Sequence, residues 1–404
     1  MLKKISVGEL KLGMHLHKFE AAWIDHPFWR TRFVLKDPAD LAAILASPVK
    51  LCWIDTSKGL DTEPAPQAAR VEPVPATPQA EAAAEAPRRE TASMGDELRR
   101  ASALCKRSRQ AVMLMFSEAR MGHALDTNAS AELVNDVTES VFRNPGALIS
   151  LARLKSADDY TYMHSVAVCA LMVSLGRTLG LPEEQCRQAG LSGLIHDMGK
   201  AVIPTEVLNK PGKLTPEEYK LMCTHPVRGH ELLSEARGVA AEALDVVLHH
   251  HERIDGKGYP HGLAGEKIDY ITRMSSVCDV YDAVTSDRPY KPGWDPSEAI
   301  ARMASWEGHF DSAIFAAFVK TVGIYPTGSI VRLASGRLAV VLEQNSASLT
   351  TPVVKVFYST KANLRLPPER LDLARSTDKI VGRESRAAWI AQQIDGLWAG
   401  DVLS

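Results

Sequence analysis

The chain has 404 residues, 45% hydrophobic and 24% charged, with a net charge of -2. That length suits two or three domains with sizeable cores. The near-neutral balance excludes a general affinity for nucleic-acid polymers, so any phosphate-binding charge has to be local.

Residues 1–61 read as a small β-rich domain. Gly13 marks a turn, short apolar or aromatic strands are expected at 22–24, 31–35 and 49–54, and 36–47 is more helical, with Leu41, Ile44 and Leu45 on one face. The opening MLKKISVGELKLGMHL holds no apolar run of signal-peptide length. No segment reaches the roughly 18 apolar residues of a membrane span. Cys52, Cys105, Cys169, Cys186, Cys223 and Cys278 are scattered without a CxxC pair, the usage of a reducing compartment. A cytoplasmic protein with no membrane partner is the expectation.

Residues 62–94 change character. Positions 62–92 hold six prolines and ten alanines and no aromatic residue, which predicts a linker, with a fragment of helix at 79–86 as the alternative. Residues 95–130 turn helical: Leu98, Ala101, Leu104 and Cys105 recur at helical spacing, and Val112, Met115 and Phe116 resume it after the polar stretch 106–110. This connector helix could form a homodimer stalk or simply pack on the next domain.

Residues 131–325 are helix-rich. One helix is expected to be capped by Asp158 or Asp159 and to present His164, Val168, Leu171, Leu175 and Leu179 on one face. Another is expected over 183–200. A third opens on Thr215, Pro216, Glu217 and Glu218, a capping box with proline at the first helical position. Further helices are expected at 239–251, 271–286, 295–303 and 311–322. Residues 326–404 read as a small β extension with strands at 329–333, 338–344 and 353–358 and a turn at Ser335 and Gly336.

Eight of the thirteen histidines lie between 164 and 261. His196 and Asp197 sit together in GLIHDMGK, where a carboxylate can bridge two cations. His225 precedes Pro226, which favours a helix boundary or a kink there. His249, His250 and His251 end another helix, and Asp279 follows on the next. Imidazole mixed with carboxylate suits manganese, iron or zinc better than calcium or magnesium. In HHHERIDGKGYP, Gly256 and Gly258 permit unusual backbone angles and close approach to a ligand. Tyr259 and Pro260 offer a rigid platform for a nucleobase, or a plain turn with a buried tyrosine. Arg288 and Lys291, in VTSDRPYKP, are cations suited to phosphate.

Together, HDMGK at 196–200, HHERIDGKGYP at 250–260, DVYDAVTSDRPYK at 279–291, His164 and His225 resemble the HD-GYP family of the HD phosphohydrolase superfamily over about 190 residues. The N-terminal GMHL, HPFW and LCWIDTSKG resemble an uncharacterised domain often found ahead of HD-GYP domains in bacteria. The resemblance implies a multidomain protein: a mainly α-helical HD-type catalytic domain, a small β-rich N-terminal domain and a short C-terminal β extension. It implies hydrolysis of cyclic di-GMP to linear pGpG, in some members onward to GMP, by a two-metal-activated hydroxide. It also implies that His164, His196, Asp197, His225, His250, His251 and Asp279 are metal ligands, with Asp197 bridging. Lys200 matches a contact to the scissile phosphate, and Gly258, Tyr259, Arg288 and Lys291 match substrate-binding positions. Diguanylate cyclase (GGDEF) proteins are signalling partners by the same resemblance.

One position departs. Family members with three metals carry glutamate four residues before the first histidine, and here that residue is Tyr160. Asp158 and Asp159 fall off the His164 face by helical spacing. The expectation is therefore two divalent transition-metal ions, iron or manganese first and zinc or nickel next, with slow onward cleavage of pGpG. A cyclic-dinucleotide sensor or scaffold without turnover, and a phosphodiesterase for another cyclic dinucleotide, are the competing readings.

Overall fold

The computed structural model describes residues 2–19, 33–35, 41, 44–45, 50–60, 92–123, 127–154, 160–236, 238–287, 293–345 and 347–403. The chain divides into two compact units, Met1–Arg88 and Arg89–Ser404.

In the first unit, strands β1 (Leu2–Ser6), β2 (His15–Phe19), β3 (Phe33–Val34) and β4 (Leu51–Asp55) form an antiparallel sheet in the order β1-β4-β2-β3. Alternation along β4 sends Cys52 and Ile54 into a core with Ile5, Met14, Leu16, Leu35 and Ile44. Gly13 turns the chain ahead of β2 at φ 92°, which suits glycine. Ile44 is buried with Leu41 beside it, but Leu45 is 51% exposed. The expected three-residue face is thus corrected to two, because the next residue on a helix turns about 100° away. The strand expected at 22–24 and linker positions 62–91 lie outside the described residues.

The second unit opens on α1 (Met94–Arg120), which runs unbroken through its polar stretch. Its stripe of Leu98, Ala101, Leu104, Val112, Met115 and Phe116 is buried in the same core as the helices that follow. Buried Glu97 accepts from Ser140 Oγ at 2.8 Å and from Arg143 Nε and Nη2 at 2.8 and 2.9 Å, so its charge is paired inside that core. The apolar stripe is used within the chain, on α3 and α4 among others.

Next come α2 (Thr127–Arg143), α3 (Pro145–Arg153), α4 (Tyr160–Thr178) and α5 (Glu183–Ile195). Every residue of α4 from Met163 to Gly176 is buried, so it is enclosed all round where the sequence pattern suggested one face. Glycines let α5 approach it closely. A Cβ at Gly190 would lie 2.6 Å from Val173 Cγ2, and one at Gly193 would lie 3.1 Å from the backbone nitrogen of Cys169. Asp158 and Asp159, the expected caps of α4, lie outside the described residues.

The helix expected over 183–200 ends instead at Ile195, and a 3-10 turn follows at Met198–Val202. Gly199 lies in that turn. Its missing side chain makes room for the carbonyl oxygen of His225 and the backbone nitrogen of Gly229, so backbone packs on backbone at the start of α7 (His225–Ser234). Ahead of α7 lies α6 (Pro216–Met222), opened by the expected capping box with both of its hydrogen bonds between Thr215 and Glu218. Then follow α8 (Ala241–His249), α9 (Tyr270–Thr285), α10 (Pro296–Ala304) and α11 (Ser312–Val322), the last three capped by Asp269, Asp295 and Asp311.

The C-terminal region holds five antiparallel strands, β5 (Ile330–Leu333), β6 (Arg337–Glu343), β7 (Val353–Ser359), β8 (Leu364–Asp372) and β9 (Ile380–Glu384), in the order β8-β7-β6-β5-β9, and a helix α12 (Ala391–Ala399). Three of these strands match the expectation, and the two extra ones are the sheet's edges. β8 contains Pro367 and Pro368, which an edge tolerates because one side of it pairs with nothing in the sheet.

Gly199→Ala should lower the unfolding free energy by about 1–3 kcal/mol, because its methyl group would overlap the His225 carbonyl. Denaturant unfolding measures this.

Candidate metal centre

Each chemically loaded segment enters the centre at the end of a helix or from a helix packed across it. α4 supplies His164. The break after α5 supplies His196 and Asp197, the first residue of α7 is His225, the end of α8 delivers His250 and His251, and α9 carries Asp279. All but His251 are at most 5% exposed.

Asp197 lies at the middle. Its Oδ2 faces His164 Nε2 at 3.5 Å and His196 Nε2 at 3.4 Å, while its Oδ1 faces His225 Nε2 at 3.3 Å and His250 Nε2 at 3.7 Å. Asp279 likewise turns Oδ1 to His164 Nε2 at 3.0 Å and Oδ2 to His251 Nδ1 at 3.7 Å. The donor atoms fall into compact groups, His164 with His196 and Asp279, His225 with His250 and His251, and Asp197 with His196 and His250.

The second ring nitrogens decide what these groups can hold. Nδ1 of His196 lies 2.8 Å from the Gly193 carbonyl, that of His225 lies 2.8 Å from the Met222 carbonyl, and that of His250 lies 3.0 Å from the Val247 carbonyl. A carbonyl only accepts, so each Nδ1 carries the proton and each Nε2 points a bare lone pair inward. His225 Nε2 and His250 Nε2 face one another at 3.2 Å. His196 Nε2 and Asp197 Oδ1 are buried with no hydrogen-bond partner among the described residues. Lone pairs and carboxylates gathered in this way fit cations, and their chemistry is that of a transition-metal site.

The ionisation states agree with that fit. Burial holds His251 down at about 3, and burial with neighbouring imidazoles holds His250 well below its ordinary value. Burial also lowers His196. Burial alone would raise Asp197, but Lys200, His196 and His225 outweigh it and keep the carboxyl well below its usual range. Burial opposes the charge on Asp279 too, and the His164 hydrogen bond with nearby imidazoles wins. Neutral imidazoles and ionised carboxylates are the forms that bind metal. His164 differs: burial pushes it down, but its hydrogen bonds to Asp279 and Asp282 leave it raised.

Lys200, on the turn after Asp197, places Nζ 2.5 Å from Asp197 Oδ2. Tyr259 stacks on His251 with ring centroids 4.7 Å apart. The close approach that Gly258 permits is to the chain's own backbone, since a Cβ there would lie 2.5 Å from the Arg253 nitrogen and 2.6 Å from the His251 carbonyl. Arg288 and Lys291 lie outside the described residues. Tyr160 lies parallel to His164, at 5.7 Å between ring centroids.

Sequence reasoning missed Asp282. It is 2% exposed and its Oδ2 lies 2.6 Å from His164 Nδ1. The available signal was its place three residues after Asp279, on the same face of α9. Glu252 was missed as well. It is buried and accepts from the backbone N–H groups of His261 and Leu263 at 2.7 and 3.0 Å.

A family profile described as HD domain matches residues 138–314, and one described as a domain of unknown function (DUF3391) matches residues 2–130. A Pseudomonas aeruginosa protein named cyclic di-GMP phosphodiesterase is 52% identical over 405 positions, covering 99% of this chain and 96% of the relative. The cyclic di-GMP phosphodiesterase response regulator RpfG of Xanthomonas campestris is 42% identical over 167 positions, covering 39% of this chain and 43% of its own length. A Vibrio cholerae protein named 3'3'-cGAMP-specific phosphodiesterase 1 is 34% identical over 202 positions, covering 50% of this chain and 46% of its own.

Asp282→Asn should cost about 10- to 100-fold in metal affinity through His164 while the helical content stays intact. Metal titration with a competing chelator, alongside circular dichroism, reads both quantities.

Proposed function

The chain belongs to the HD-domain cyclic di-GMP phosphodiesterases, and from that membership we propose that its metal centre hydrolyses cyclic di-GMP to linear pGpG with two divalent transition-metal ions. The observation that carries this reading is Asp197, whose two carboxylate oxygens face two different pairs of histidines. His164, His196 and Asp279 would hold one ion, His225, His250 and His251 the other, and Asp197 would bridge them. Imidazole and carboxylate together suit iron or manganese, with zinc and nickel next. Bound there, two such ions supply water acidified toward neutral pH as nucleophile and neutralise charge on the phosphoryl oxygens.

The chain's own residues do the rest. Asp282 holds His164 in one orientation, and the carbonyls of Gly193, Met222 and Val247 do the same for His196, His225 and His250. Lys200 stands at the rim of the centre, where negative charge grows on the phosphate under attack. Tyr259, carried by the loop that Gly258 packs onto its own backbone, receives a nucleobase. Arg288 and Lys291 hold the second phosphate. The 52% identity along nearly the full chain favours cyclic di-GMP over other cyclic dinucleotides as substrate.

Tyr160 limits the centre to two ions. Its ring covers His164 and offers no carboxylate where three-metal members of the family have glutamate. That arrangement supports slow conversion of pGpG to GMP.

Asp197→Ala should abolish metal-dependent hydrolysis of cyclic di-GMP while the protein stays folded. Product analysis after loading with manganese or iron(II) tests it, and retained turnover, or binding without turnover in the wild type, would sink the proposal. Tyr160→Glu should add one bound ion per chain and speed release of GMP from pGpG, read by elemental analysis and by chromatography of the products.

A further inference from the structure

The triple histidine at the end of α8 leaves one member outside the metal centre. His249 Nδ1 lies 2.8 Å from Asp245 Oδ1, and its Nε2 lies 2.9 Å from His261 Nδ1. Asp245 is itself held, because the Thr272 hydroxyl donates to its Oδ2 at 2.7 Å. The carboxylate only accepts, so His249 carries its proton on Nδ1 and presents a bare Nε2. His261 Nδ1–H then donates to it. A hydrogen-bonded series thus runs from α9 through α8 to His261, two residues beyond Tyr259.

The loop has a second, separate anchor at the same place. The backbone N–H groups of His261 and Leu263 donate to the two oxygens of buried Glu252. Glu252 therefore holds the backbone at His261 and Leu263, and the imidazole pair adds a side-chain tie at His261. Tyr259 is tied by a 3.3 Å bond from its N–H to the His251 carbonyl and by its stacking on the His251 ring.

We propose that His249 and His261 form a latch that positions the Tyr259 loop beside the metal centre and thereby sets substrate affinity. This rests on the proposed role of Tyr259 in binding cyclic di-GMP. The latch touches neither the ions nor the reacting phosphate, so its two histidines are positioning residues. Its loss removes one of the loop's ties without exposing core, since His261 lies at the surface and Glu252 remains bonded.

The test is steady-state kinetics on the metal-loaded full chain with cyclic di-GMP, together with metal content. His261→Ala and His261→Phe should each raise KM about three- to tenfold, the worth of one hydrogen bond, with kcat and bound metal unchanged. His261→Gln, which keeps an N–H donor, should recover part of the loss. Tyr259→Ala serves as the reference and should raise KM at least as much. An effect of Tyr259→Ala with none from His261→Ala overturns the latch and leaves the functional reading standing. No effect from Tyr259→Ala overturns both the latch and the assigned role of Tyr259. Lowered kcat or lost metal in His261→Ala at unchanged KM also overturns the latch, in favour of a structural role.

Discussion

A carboxylate buried as deeply as Asp197 loses its hydration, and keeping its charge inside a protein costs several kcal/mol unless partners replace the water. Lys200 and four imidazoles surround it, and its charged form prevails. The partners are scarcely less demanding. Three of the imidazoles present bare lone pairs inward, and two of those face one another. Compensation by side chains alone is therefore incomplete, which is the condition that cations would relieve. The candidate metal centre and the fold are in this sense one problem, because the arrangement that suits cations is made by the ends and faces of the surrounding helices.

Close packing without side chains is how the helices do it. Gly190 and Gly193 let α5 lie against α4, which sets His196 beside His164. Gly199 lets the turn after Asp197 sit on the start of α7, which brings in His225. Across the centre, the Ser276 hydroxyl of α9 donates to the His250 carbonyl at 2.9 Å, joining the helix that carries Asp279 to the end of the one that delivers the histidine pair. These candidate ligands are thus located by contacts that lie outside the donor set itself.

Much of this was legible in the sequence, and the limits have physical reasons. The capping box at Thr215 was readable because capping is local chemistry, and the helices expected from 295 and 311 do open on capping aspartates. The proline after His225 marked the start of α7 for the same reason. The break at His196 was not readable, because the turn that follows it packs through Gly199 on a segment more than twenty residues away. β8 escaped because it lacks alternating burial and carries prolines, and β9 because its alternation is only between half-buried and exposed positions, with Ile380 and Val381 adjacent in its sequence. The seven candidate ligands could be named through motif resemblance. Asp282 had only its spacing from Asp279 as a signal and Glu252 had none, since an oriented carboxylate looks in sequence like any other until its partner is seen.

The adjacent ligand pairs show why the centre sits at helix ends. Successive residues on an α-helix point about 100° apart, so neighbours within a continuing helix cannot aim at one point. His196 with Asp197 and His250 with His251 escape that rule because α5 stops at Ile195 and α8 stops at His249. His196 and His250 still have helical dihedrals as the last capping residues, and Asp197 departs from them at φ -97° and ψ 9°, so its side chain is not bound to the helical angle. His249, still inside α8, obeys the helical rule and points away, toward Asp245 and His261. The same three-histidine run therefore serves two tasks. Two residues past the helix end face the metal centre, and the one within the helix is free to hold the neighbouring loop.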